Sequence, residues 1–204
     1  MFKFDSLTTK LVVFHLFIIA LSNYLVTIPV TVLGLAMTWS AFSFPLIVVA
    51  TDLTVRLLGK HQARKVIAFA YVPAILVSIW VVYATGAPSS VAIRIGLASG
   101  TAYLLSNLLD VYVFQQIRER YSAWWIAPFG SSVVANVIDT FAFFAVAFYN
   151  SADTFMAENW PYIAADQTVT KIIISALVIL PVYGVLLNYL SKKIGRDITA
   201  KMHS

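Results

Sequence analysis

The chain has 204 residues, of which 60% are hydrophobic and only 11% are charged, whereas soluble domains carry about 25% charged residues. Its net charge is +5, and it contains no cysteine. This composition excludes a soluble enzyme or nucleic-acid-binding domain, disulfides, thiolate metal sites and cysteine catalysis. It predicts an integral membrane protein.

Six apolar segments are long enough to cross about 30 Å of hydrocarbon. We place them near residues 11–29, 40–58, 66–86, 91–117, 123–149 and 168–190. The first segment continues past Asn23 without a small-residue cleavage site, which favours a membrane span over a removed signal peptide. We therefore predict an all-α protein, a single bundle of about six transmembrane helices, with residues 1–204 forming a single transmembrane domain.

The basic residues are distributed unevenly among the connecting segments. They flank the spans at the N-terminus, after the second and fourth spans, and after the sixth, whereas the loops 30–39, 87–90 and 150–167 contain none. Because short cytoplasmic loops carry the excess of Lys and Arg, both termini are predicted to be cytoplasmic. The loop 150–167, which is acidic, is then on the outside.

Charged side chains also occur within or at the ends of the spans. A charge at the centre of a bilayer costs about 2.5–3.5 kcal/mol on insertion scales, so such residues are usually paired or functional. Salt bridges, or snorkelling of the Arg and Lys side chains to the interface, would explain these charges without a ligand. The acids, however, lie among amides and hydroxyls, which salt bridges do not require, and this favours a polar small-molecule pocket. The charges are Asp52, Arg56, Arg94, Asp110, Asp139 and Lys171.

An Asn-x-x-Asp pattern occurs twice, as Asn107 with Asp110 and as Asn136 with Asp139. A spacing of three places both side chains on one helix face. The topology puts the two faces at different depths on antiparallel spans. We expect the second face, together with Asp52 and Lys171, to meet the substrate, and the first to guard the inner exit or brace the helices.

A carboxylate can accept two parallel N–H bonds from a guanine-like edge, and an amide can pair with a neighbouring carbonyl and N–H. Aromatic side chains such as Phe44 and Phe143 can cover the faces of a flat ring. Trp39 is either an interface anchor or part of this pocket. The chemistry equally fits a cationic substrate or a proton path, so it leaves the ligand open. A membrane-embedded enzyme is the weaker interpretation, because His15 is the only histidine in a span.

Gly96 and Gly100 have the small-xxx-small spacing that lets two helices approach closely. Internal packing is the favoured interpretation, and a homodimer contact is the alternative.

Five sequence motifs follow one another along the chain, each occurring once. They are SNYLV from Ser22, TWSAFSFPLIVVATDLTVRLLG from Thr38, LLDVYVF around Asp110, ANVIDTFAFFAVAF around Asp139 and KIIISALVILPVYGVLLN from Lys171. Together they resemble the YhhQ family of bacterial queuosine precursor transporters, in which TDLTVR and NVIDTFAFF are the most specific segments.

The resemblance implies a multi-pass importer of the bacterial inner membrane, surrounded by lipid, for 7-deazaguanine bases. The expected substrate is chiefly 7-cyano-7-deazaguanine, with its aminomethyl analogue as a second, for conversion to queuosine in tRNA. It implies no enzymatic activity, cofactor, metal or nucleic-acid partner. The matching polar residues are Asp52, Arg56, Asp110, Asn136, Asp139 and Lys171. The candidate substrate-binding set is completed by Asn23, Trp39, Phe44, Arg94, Asn107 and Phe143, while Asp166 is left out.

The mode of energy coupling stays open. The chain has no glycine-rich phosphate-binding loop, so it does not hydrolyse ATP itself. It is either an independent carrier, acting as a facilitator or as a proton symporter, or the substrate-binding membrane subunit of a separate ATPase.

Overall fold

The computed structural model describes residues 6–25, 28–32, 35–43 and 45–202. Phe44, one of the predicted site residues, lies outside these ranges. In chain order, the described elements are α1 (Ser6–Leu25), β1 (Pro29–Val32), β2 (Leu35–Thr38), α2 (Ser40–Ser43), α3 (Pro45–Leu58), α4 (Lys60–Ala84), α5 (Ser89–Arg120), α6 (Ile126–Phe148), α7 (Thr154–Ile174), a π-helical turn (Ser175–Ile179) and α8 (Leu180–Met202).

The helical membrane architecture predicted from the sequence is confirmed. Within the described residues, four helical segments are long and apolar enough to cross a membrane: Ser6–Leu25, Lys60–Ala84, Ile126–Phe148 and Thr154–Lys193. The chain is therefore a multi-pass membrane protein. Helix α5 is long enough at 32 residues, but it carries polar side chains along its length.

The predicted second span is shorter than expected. Helix α3 has 14 residues, about 21 Å at 1.5 Å per residue, so alone it does not cross the hydrocarbon. It follows a small antiparallel hairpin in which Pro29 pairs with Thr38 and Val32 with Leu35. The sequence predicted an outside loop at these positions. Gly59, at φ 89°, makes the sharp turn from α3 into α4.

The prediction of an outside loop at residues 150–167 is wrong for most of these residues, because helix α7 begins at Thr154. Asp153 caps a helix there, because its carboxylate accepts a hydrogen bond from the Met156 backbone N–H at 3.0 Å. Thr154–Lys193 is a 40-residue helical segment, about 60 Å long and twice the thickness of the hydrocarbon. Its π-helical turn lies just before Pro181, which lacks the backbone N–H that would continue the regular ladder.

Helix α5 packs between α4 and α6. Its Gly96 lies against Ile79 of α4, where an added Cβ would come within 2.2 Å of Cγ1, and Gly100 lies equally close to Cγ1 of Ile75. Both glycines are buried. The close approach therefore occurs within the chain, as the internal-packing interpretation predicted, and these two residues present no surface to a second copy.

Two hydrogen bonds at one end of the bundle show which helix ends lie together. Gln62, near the start of α4, donates to the Thr8 hydroxyl near the start of α1 at 2.6 Å. Arg56, at the end of α3, donates to the Trp124 carbonyl just before α6 at 3.1 Å. The starts of α1, α4 and α6 and the end of α3 thus meet at this end.

Candidate substrate cavity

A cavity of about 860 Å³ lies among α1, α4, α5, α6 and α7. Its volume is within the range of about 300–1,000 Å³ typical of small-molecule sites, and its lining is mainly apolar with polar groups at intervals. The polar lining comprises Asn23, Ser40, Ser78, Thr85, Ser99, Tyr103, Ser106, Asn107, Asn136, Asp139, Thr140, Asp166, Gln167, Thr170 and Lys171.

The charged part of the wall is an ion pair between α6 and α7. Lys171 Nζ lies 3.0 Å from Asp139 Oδ2 and donates to Thr140 Oγ1 at 3.0 Å. The Lys171 side chain is 9% exposed and that of Asp139 is 23% exposed, so the carboxylate is the more accessible partner. Pairing is the means by which charges are tolerated inside a membrane protein. Asp139 retains lone pairs that Lys171 does not use.

Three of the amides that line the cavity are asparagines, each bonded to a neighbouring segment. Asn23 donates to Ser78 Oγ at 2.7 Å, and Asn136 donates to Ser175 Oγ at 3.1 Å. Asn107 is held twice, since it accepts from Thr51 Oγ1 at 3.0 Å and donates to its own helix. Within the described part of the chain, the side-chain oxygens of Asn23 and Asn136 make no hydrogen bond.

One end of the cavity is aromatic. Phe143, Phe144 and Phe148 form a cluster on α6 with ring centroids 5.5–6.3 Å apart. On the opposite wall Tyr103 is oriented by a hydrogen bond of 3.0 Å between its hydroxyl and His15 Nδ1. These rings offer flat apolar surface next to the polar groups.

Asp52 and Asp110 do not line the cavity. They lie together on the other side of Asn107, where α3 crosses α5, and are 1% and 0% exposed. Ser131 of α6 contacts both, with its hydroxyl 3.4 Å from Asp52 Oδ1. The sequence predicted that Asp52 would lie near Asp139. The structure instead places Asp52 beside Asp110. Of the Asn107–Asp110 face, only the amide reaches the cavity.

The remaining predicted residues lie elsewhere. Arg56 reaches Trp124 and the Tyr183 hydroxyl, at 3.1 and 3.5 Å, below the carboxylate pair. Arg94 donates from Nε to the carbonyl of Val146 at 3.0 Å and from its terminal nitrogen to that of Tyr149.

Arg94 therefore satisfies carbonyls at the C-terminal end of α6 and does not enter the cavity. Trp39 is 46% exposed and packs on Phe42. Six of the twelve predicted residues line the cavity: Asn23, Asn107, Asn136, Asp139, Phe143 and Lys171.

The sequence interpretation left out Asp166 and its neighbour Gln167, which both line the cavity from α7. Recognising Asp153 as an N-cap would have extended the helix backward through these positions. Gln167 and Lys171 would then share a helix face at a spacing of four.

This geometry defines a multi-pass membrane protein with an internal, partly polar binding cavity. The family model described as putative vitamin uptake transporter matches residues 38–186. The queuosine precursor transporter of Escherichia coli K12 is 45% identical over 192 residues, covering 89% of this chain and 86% of the relative. A probable queuosine precursor transporter of Haemophilus influenzae is 39% identical, covering 93% and 90%. A third, from Bacillus subtilis, is 33% identical over 41% of this chain and 37% of its own. No solved structure matches significantly.

The chain belongs to the putative vitamin uptake transporter family, within the YhhQ group that its motifs resemble. Its class is that of a transporter and not of an enzyme.

Proposed function

We propose that the chain imports queuosine precursors, chiefly 7-cyano-7-deazaguanine, across the bacterial inner membrane. The observation that carries the proposal is the cavity in which a carboxylate, free amide oxygens and aromatic rings converge. The two relatives that align over most of the chain support the substrate class by their names.

The hydrogen-bonding edge of a deazaguanine base matches the charged wall. This edge presents a ring N–H and an exocyclic amine side by side, and a carboxylate accepts both. Asp139 is the more exposed member of its ion pair and therefore the acceptor we propose. Lys171 pairs with that carboxylate at 3.0 Å and holds it in position.

The remaining polar groups suit the rest of the base. Asn136, one helical turn from Asp139, already donates to Ser175, and its free oxygen can accept from a substrate N–H. Asn23 offers a second free oxygen from α1. Phe143 and Tyr103 supply ring surface for stacking on the heterocycle.

The proposed topology has about six crossings within a single transmembrane domain, residues 1–204, with both termini cytoplasmic. The starts of α1 and α4 meet at one end of the bundle, and the basic residues Lys60, Arg64 and Lys65 lie there. Arg118 and Arg120 end α5 near the Trp124 contact. The positive-inside rule assigns this end to the cytoplasm.

The test is binding and uptake of labelled 7-cyano-7-deazaguanine. Purified protein should bind the base saturably, and cells that lack their own importer should accumulate it when they express the chain. Asp139→Asn should abolish uptake while the protein remains in the membrane. Glu158→Gln, which neutralises an exposed carboxylate on α7, is the matched control and should transport normally.

Normal uptake by Asp139→Asn would remove this residue from the site, and absence of binding by the wild type would refute the substrate. Binding without transport by the purified protein in vesicles would identify a subunit that needs an ATPase partner.

A further inference from the structure

The Asp52–Asp110 pair is a second polar site that substrate contact does not explain. Both carboxylates are fully buried, and neither oxygen of Asp110 has a hydrogen-bond partner within the described residues. Buried polar groups are almost always satisfied, so an unpartnered carboxylate needs an explanation. The missing partner must be small, because both carboxylates are fully buried.

The charges around the pair indicate what is missing. The charged or titratable groups that interact with it are Arg56 on α3 and, from α8, the Tyr183 hydroxyl. Helix α6 contributes the Ser131 hydroxyl. Of these groups, two carboxylates and one guanidinium leave one negative charge uncompensated in a buried site. One proton would neutralise it.

A proton would also give Asp110 the hydrogen bond that it lacks. A protonated carboxyl donates O–H to the other carboxylate, so one proton gives each acid a partner and removes their mutual repulsion. A metal cation fits less well, because within the described residues no three acidic or histidine side chains come together. Calcium takes six to eight oxygen ligands, more than two carboxylates and a serine supply.

The pair is connected to the substrate cavity by two routes. Thr51, next to Asp52, donates to Asn107, which lies one turn before Asp110 and lines the cavity. On the other side Asn136, also in the cavity wall, donates to Ser175. Ser175, Asp52 and Tyr183 line a space of about 10 Å³, just enough for one water molecule. One water molecule in this space would complete a hydrogen-bonded path from the cavity to Asp52.

We propose that Asp52 and Asp110 together bind one proton and that its uptake and release couple substrate movement to the transmembrane proton gradient. The pair is then the coupling site of a symporter, distinct from the cavity that holds the base. The Thr51–Asn107 hydrogen bond transmits occupancy between the two sites, because the same two helices carry both. This inference rests on the proposed function, since it assumes that the cavity carries a transported base.

Three measurements on purified protein in liposomes separate the two claims. Equilibrium binding and exchange of labelled against unlabelled 7-cyano-7-deazaguanine, without a gradient, test the cavity. Accumulation driven by an inward proton gradient, with an internal pH dye reporting proton entry, tests the coupling. For the wild type we expect binding, exchange, gradient-driven accumulation and one proton entering with each base.

Asp110→Asn mimics a permanently neutral acid of the same shape. It should abolish gradient-driven accumulation and substrate-dependent proton entry, while exchange persists within about threefold of the wild type. Asp110→Glu, which keeps the titrating group, should restore part of the coupling. Glu119→Gln, an exposed neutralisation on the same helix, should remain fully coupled. Asp52→Asn provides a second test of the pair should Asp110→Asn misfold.

The outcomes are distinguishable. Exchange in the wild type without any effect of the proton gradient, or accumulation driven by sodium instead, would overturn the coupling site and leave the proposed function standing. Full coupling in both Asp110→Asn and Asp52→Asn would overturn the assignment to this pair. Absence of both binding and exchange in the wild type would overturn the proposed function itself.

Discussion

The two acidic sites of the bundle differ in the groups that surround their carboxylates. Asp139 faces a wide cavity and is paired with Lys171 at 3.0 Å. Asp110 lies beside another acid, is fully buried and has no hydrogen-bond partner among the described residues. A charged pair next to open volume suits a ligand that brings its own donors. Two adjacent buried acids suit a ligand as small as a proton. Neutralising one charge should therefore destabilise the first site far more than the second.

The largest effect is expected for Lys171→Met. Removing the cation leaves Asp139 as an uncompensated charge in the cavity wall, and breaking such a pair costs about 3–5 kcal/mol when it is fully buried. Because Asp139 is 23% exposed, we expect the lower end of this range. Thermal unfolding in detergent measures the loss. The double mutant Asp139→Leu with Lys171→Met should recover most of it, and no recovery would show that Lys171 stabilises the fold through other contacts.

Asn136→Ala should weaken substrate binding without unfolding the protein. A hydrogen bond to the base contributes about 0.5–1.5 kcal/mol, which corresponds to a loss of affinity of up to about tenfold. Isothermal titration with 7-cyano-7-deazaguanine measures it. Asn159→Ala, which removes an amide bonded only to its own helix, is the control and should bind with wild-type affinity.

Thr51→Val should separate the two sites. The change removes the hydrogen bond to Asn107 at the cost of about 1 kcal/mol of stability and keeps the shape of the side chain. Base affinity measured at several pH values should then vary less with pH than in the wild type. Thr54→Val removes a bond within α3 alone, so its pH dependence should match that of the wild type. An unchanged pH dependence in Thr51→Val would indicate that the sites communicate by another route.

The smallest change in stability is expected for Asp110→Asn. The amide can donate to Asp52, and no cation is left unpaired, so unfolding should shift by no more than about 1 kcal/mol in either direction. The same detergent assay provides a direct comparison with Lys171→Met. A loss as large as that of Lys171→Met would mean that Asp110 is ionised and paired in the folded protein.

The sequence by itself determined that this protein lies in a membrane and which residues are available for its sites. Long apolar segments cross a membrane because a spanning helix satisfies its own backbone in lipid, and this requirement is local to each segment. The family could also be recognised, because motif order is a property of the chain. The Asn-x-x-Asp spacing predicted a shared helix face for each pair, since helical periodicity is local too; Asn136 and Asp139 both line the cavity, whereas of the other pair only Asn107 does.

Only the tertiary structure decided which of these polar residues meet. Asp52 joins Asp110, and not Asp139, because a short α3 crosses α5 at that point. Arg94 turned to the carbonyls at the end of α6, and Asp166 reached the cavity because α7 begins at Thr154. Crossing points depend on helix lengths, turns and close contacts such as Gly96 against Ile79, which arise between segments distant in the chain. A single helical periodicity carries no information about them.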